Sequence, residues 1–66
     1  MSGNLQRIRK QRGMTQVQLA ERAGVNLRTM QRYELTPENI NGAPAITVYK
    51  LALALGVNMP ELLELD

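Results

Sequence analysis

Arg28, Gln31 and Arg32 stand three and four residues apart, so on a helix they share one face and present two cations and an amide together. Such a face can hydrogen-bond a polyanion, or it can be the solvated side of a soluble helix. The charge distribution around it is lopsided. Residues 1–33 carry Arg7, Arg9, Lys10, Arg12, Arg22, Arg28 and Arg32 against Glu21, a net of +6, although the whole chain carries only +2. Residues 34–66 carry Lys50 against Glu34, Glu38, Glu61, Glu64 and Asp66, a net of −4. A polyanion such as DNA is attracted to the first half and repelled by the second, which orients a complex as well as favouring it. Other chemistry is scarce. The chain has no histidine and no cysteine, its one serine is Ser2, and its carboxylates are spread along helix ends. General acid–base catalysis, nucleophilic catalysis and metal ligation therefore lack their usual groups, and no glycine-rich phosphate loop is present. The reading is not an enzyme, with no cofactor and no metal.

The elements that must carry this face are helical. Sixty-six residues suffice for one domain, residues 1–66, and apolar residues recur at spacings of three and four while alternation never persists. Leu5 and Ile8 mark a first helix that runs to about Arg12 and stops at Gly13. Thr15 opens a second with the reciprocal T-x-x-Q box to Gln18, buries Val17, Leu19, Ala20 and Ala23, and ends at Gly24. Asn26 caps a third, with Met30 and Tyr33 inward and Leu27, Arg28, Gln31 and Arg32 outward. Residues 35–44 read as a loop with room for one helical turn. A fourth helix starts at Pro44 or Ala45, lines one face with Val48, Leu51, Ala52 and Leu55, and ends at Gly56. Asn58, with Glu61 in N-x-x-E, caps a fifth, whose Leu62, Leu63 and Leu65 either finish the core or form part of a dimer seam. Met14, Met30 and Met59 read as flexible core filler. No apolar run approaches the ~20 residues of a membrane span and the start lacks a signal-peptide pattern, which suggests a cytoplasmic protein.

Between Gln16 and Glu34 several weak constraints coincide at the spacings of two helices crossing steeply through a short turn. Ala20 is small where the helices approach most closely, and Gly24 supplies the positive φ of the turn. Leu19, Ala23, Val25, Met30 and Tyr33 close the corner.

With these residues the sequence resembles the Cro and phage-repressor-like helix-turn-helix family, also called the xenobiotic-response-element type. The resemblance runs over nearly the whole chain: Leu5-x-x-Ile8-Arg9, Gly13-Met14-Thr15-Gln16-x-x-Leu19-Ala20, Ala23-Gly24-Val25 and Glu34, then Thr47-x-x-Lys50-Leu51-Ala52-x-Ala54-Leu55-Gly56-Val57 and Glu61-Leu62-Leu63. It implies an all-α, compact five-helix lambda-repressor-like DNA-binding domain with the motif at helices 2 and 3. It further implies a transcriptional regulator, with repression as the leading reading, that inserts a recognition helix at about 27–34 into the major groove of double-stranded DNA. Relatives commonly bind two-fold operators as homodimers, and many carry a second domain, so this chain could belong to a longer regulator.

What the resemblance implies can be carried over by position. Gln16 matches a phosphate contact that braces the recognition helix, and Thr15 lies beside it at the same helix start, where an anion is favoured. Arg28 stands where relatives read base edges, and an arginine there pairs with guanine O6 and N7. Leu27 and Thr29 suit a thymine methyl, Gln31 suits adenine, and Arg32 reaches either a base or a phosphate. Arg9 and Glu34 match a partly buried ion pair tying the first helix to the end of the third. The family's basic stretch after the glutamate is replaced by Leu35-Thr36-Pro37-Glu38-Asn39-Ile40-Asn41-Gly42-Ala43-Pro44, longer and without Lys or Arg. There Thr36, Asn39 and Asn41 would donate neutral hydrogen bonds to phosphate in place of the missing charges. A fold does not fix a function. The competing reading is a protein-interaction module on the same fold, an antirepressor, antitoxin or oligomerisation domain with little DNA binding.

Overall fold

A computed structural model describes residues 3–65; Ser2 and Asp66, counted above, lie outside the described residues. Helix α1 spans Asn4–Gln11, α2 Gln16–Ala23, α3 Leu27–Leu35 and α4 Ala45–Leu55. Two 3₁₀ helices follow α3 and α4, at Pro37–Gly42 and Met59–Leu62. The five expected helices are thus present, the fifth as a short 3₁₀ helix, and a further 3₁₀ helix occupies most of the 35–44 loop. No strand occurs among the described residues, and no helix there is long and apolar enough to cross a membrane.

Local chemistry explains the boundaries. Thr15 Oγ1 accepts from Gln18 N–H at 3.1 Å while Gln18 Oε1 accepts from Thr15 N–H at 2.9 Å, which closes the capping box on α2. Asn26 Oδ1 accepts from Arg28 and Thr29 N–H at the start of α3. Asn58 and Glu61 form a second capping box. Gly24, at φ +69°, ends α2: a Cβ there would meet nothing within 4 Å, so glycine is required by the left-handed backbone and not by space.

α2 lies at the centre, packed against both α3 and α4; α1 leans on α3, and the second 3₁₀ helix on α4 and α1. Leu19, Met30, Ile40, Leu51 and Leu62 are the largest fully buried side chains. Each comes from a different element, and α1 adds buried Leu5 and Ile8, so no helix can leave without exposing a core residue, each such burial contributing about 1.5–3 kcal/mol. Met14 and Met59 are half-buried against this core, and Tyr33 is buried within it.

One expectation needs correction and two others are sharpened. Val17 is not on the buried side of α2 but 49% exposed. It lies about 110° around the helix from the mid-line of Leu19, Ala20 and Ala23, too far to reach the core. Of the three terminal leucines, Leu62 is buried and Leu63 half-buried against the core, so two of them finish the core and only Leu65 remains exposed. The Asn41 side chain is engaged within the chain: its Oδ1 accepts from Glu64 N–H at 2.8 Å and its Nδ2 donates to Glu64 O at 3.0 Å, which leaves a single hydrogen on Nδ2 for a phosphate.

That pairing belongs to a clasp joining the two ends of the chain. The Glu64 carboxylate accepts from Asn4 N–H at 2.6 Å, capping α1 from 60 residues away, and Asn4 Nδ2 donates to Leu63 O at 2.8 Å. Gly3 is packed so tightly that a Cβ would sit 2.6 Å from Pro37 Cβ. Gly3→Ala is therefore expected to destabilise the domain by about 1–3 kcal/mol through overpacking of a rigid ring. A urea denaturation curve with an unchanged midpoint would contradict this.

Candidate nucleic-acid interface

The buried residues of α3 are Met30, Tyr33 and Glu34. At 100° per residue their mid-line lies opposite Arg28, Arg32 and Leu35, which are exposed, with exposed Gln31 at the edge nearer α2. Leu27 and Thr29 occupy the flanks and are half-buried, Leu27 packed against the core. Of the five residues expected to read bases, three thus stand on the outward stripe and two beside it.

A hydrogen-bond chain anchors this stripe. Arg9 and Glu34, both buried, pair in two places, Nε to Oε2 at 2.6 Å and Nη2 to Oε1 at 3.0 Å, and Arg9 Nη1 also donates to Met14 O at 2.7 Å. Glu34 Oε1 accepts as well from Gln16 Nε2 at 2.8 Å. Gln16 Oε1 in turn accepts from Gln31 Nε2 at 3.2 Å. From α1 the chain therefore runs through the end of α3 and the start of α2 back to the exposed face of α3. Because the inner pair is buried and charge-assisted, it orients Gln16, and Gln16 orients Gln31. One hydrogen on Gln31 Nε2 and its Oε1 are left for an outside partner.

At the start of α2, Gln16 and Val17 N–H have no intrahelical acceptor, and they point along the positive end of the helix dipole. Thr15 Oγ1 spends one lone pair on the cap and still has a hydroxyl hydrogen to donate. An anion set against this end would meet Thr15, the two amides and the Gln16 side chain together.

Gln16, Arg28, Gln31 and Arg32 therefore lie on one side of the molecule. Thr36 and Asn39 are exposed just past the end of α3, and among the described residues no hydrogen bond joins them to the Gln16–Gln31 pair. Ala20 is buried in the angle between α2 and its neighbours, and Gly24 forms the turn. Two residues that the sequence reading passed over also border the site. Gln6 of α1 and Leu35, 85% exposed, line a shallow depression with Gln16, Gln31 and Glu34. Leu35 was detectable, since it is four residues past Gln31 and seven past Arg28; for Gln6 only the packing of α1 on α3 reveals the proximity.

A family model described as helix-turn-helix matches residues 5–62. No curated protein and no solved structure matches the chain.

Proposed function

The chain belongs to the helix-turn-helix family of the Cro and phage-repressor type, a family of DNA-binding transcriptional regulators, and from that premise we propose that it reads a specific operator with the outward stripe of α3. The domain, residues 1–66, sets the start of α2 against a phosphate and lays α3 in the major groove. Arg28 reads a guanine, Gln31 an adjoining adenine, and Arg32 a base or a phosphate. Thr15 and Gln16 hold the backbone at one end, and Thr36 and Asn39 hold it with neutral donors at the other. Two copies bind a two-fold site in the cytoplasm, and occupation of a promoter represses transcription.

The observation that carries this reading is the relay from Glu34 through Gln16 to Gln31. It aligns the α2 terminus with the exposed face of α3, which a phosphate contact and a base contact need to act in one register. A merely solvated helix face would not require a buried carboxylate to orient it.

Selection of bound duplexes from a random pool tests the proposal and should return a symmetric motif whose half-sites lie about one helical turn apart. Affinity for the selected site should fall with salt at a log–log slope of about −2 or steeper, as two copies each neutralise at least one phosphate at about −0.9 apiece. A flat salt response with no enriched motif would support the protein-interaction module instead.

A further inference from the structure

Residues 35–44 carry no cation, so Thr36 and Asn39 can hold a phosphate only through neutral hydrogen bonds. A lysine attracts a phosphate over several ångströms and from many directions, whereas a neutral donor acts only at contact and nearly in line. A loop that relies on such donors has to be in place before DNA arrives. Three contacts put it there. Ile40 is buried in the core, Pro37 lies against Gly3, and Asn41 pairs in both directions with the backbone of Glu64. Glu64 is not part of the loop. Its segment returns after the second 3₁₀ helix and is held on α1 by two bonds, its carboxylate accepting from Asn4 N–H and Leu63 O accepting from Asn4 Nδ2.

We propose that Glu64 is a positioning residue for DNA binding. Its carboxylate fastens the terminal segment to α1 as a strut, and through Asn41 the strut holds Thr36 and Asn39 in register with the outward stripe of α3. The proposal rests on the operator reading above and supplies the device by which a loop without cations grips the backbone. α1 suits as the fixed end, because the Arg9–Glu34 pair ties it to the end of α3. Loop and stripe are thus referred to one rigid support, and the ordering cost of the loop is met in folding instead of on DNA. Leu62, fully buried, already anchors the terminal segment in the core. The strut therefore adds little to holding that segment and much to fixing what Asn41 is joined to. Charge works against it, since a carboxylate bonded this close to a phosphate-contacting loop repels the ligand. That opposition gives the proposal a sign that a charge effect cannot imitate.

Glu64→Ala and Glu64→Gln, titrated with DNA far below their melting temperatures, separate strut from charge. Both remove one negative charge, and only glutamine keeps a side-chain oxygen that can accept from Asn4 N–H. By charge alone, both variants should bind more tightly than the wild type at low salt. With the strut, Glu64→Ala should bind about fivefold more weakly per half-site, the worth of one neutral hydrogen bond, while Glu64→Gln binds at least as tightly as the wild type. Asn4→Ala removes the bond to Leu63 O without touching a charge; it should weaken binding too, and it carries the test should Glu64→Ala fold poorly. The loss should be alike on specific and nonspecific duplexes, because phosphate contacts carry no sequence information. In a chain already carrying Thr36→Ala and Asn39→Ala, Glu64→Ala or Asn4→Ala should cost less than about twofold, since the donors that the strut positions are gone. A structural role alone would leave the losses additive. Additive losses, or alanine at 64 binding as tightly as glutamine, would overturn the proposal. A wild-type chain that binds no duplex would sink the operator reading with it, whereas additivity among variants that bind sinks the strut alone.

Discussion

Glu34→Ala is expected to remove most of the stability of the domain, about 3–5 kcal/mol, because it strands a buried guanidinium. A chain of this length holds about 3–10 kcal/mol in total. Arg9 donates through Nε and Nη2 to the two Glu34 oxygens and through Nη1 to Met14 O. Without Glu34 only the last of these acceptors remains, and the cation is too enclosed for water to replace the carboxylate. The melting temperature should fall by more than about 12 °C, given ~4–8 °C per kcal/mol for a domain of this size. The paired replacement Arg9→Met with Glu34→Leu should be considerably milder, since it removes both charges and fills the space with apolar atoms, a change that is often neutral. If the single and double variants melted together, the buried charge would not be the cause. The double variant separates stability from binding: it keeps the fold but takes from Gln16 Nε2 the oxygen that orients it. Its affinity for DNA should therefore drop even though its melt has largely recovered.

The parts of this architecture that could be read in the sequence are those decided within four residues. Thr15 with Gln18, Asn58 with Glu61, and glycines at 13, 24 and 56 each combine a donor, an acceptor or a positive φ with the turn that needs it, so the residue types alone mark the boundaries. The Arg9–Glu34 pair, 25 residues apart, was reached only through the family resemblance. What remained hidden is held by polar contacts of long reach and no local signature. Nothing in the neighbourhood of Glu64 suggests that it caps α1 or that its backbone pairs with Asn41. Nor does Arg12, which donates to Leu55 O at the end of α4 across 43 residues, differ in context from an ordinary solvated arginine. Val17 was misplaced for a related reason: apolar character marks a residue as able to be buried, and the angular position decides whether it is. The long loop shows the same limit. Its lack of basic residues was plain, but the use of Asn41 as a clasp for the terminal segment depends on where that segment returns.

Arg28→Ala should cost specific binding about 1–3 kcal/mol, roughly fivefold to 150-fold, while leaving nonspecific binding and the fold nearly untouched. The fold should survive because the contribution of Arg28 to the start of α3 is made by its backbone, whose N–H donates to Asn26 Oδ1 at 2.9 Å, and alanine keeps that bond. Any loss therefore reports on the guanidinium alone. If it pairs with a guanine, a random-pool selection with the variant should relax one base pair in each half-site and leave the others sharp. Gln16→Ala supplies the contrast. As a phosphate contact alone, its loss would weaken all sequences alike, but Gln31 Nε2 bonds to Gln16 Oε1. Removing Gln16 should thus lower affinity generally and also blur the one position read by Gln31. The two variants should relax different base pairs, adjacent along the groove, since Arg28 and Gln31 stand a single helical turn apart. Equal losses in specific and nonspecific affinity for Arg28→Ala, with a salt slope shallower by about 0.9 per copy, would instead identify Arg28 as a phosphate contact. The reading of bases would then fall to Gln31 and Arg32.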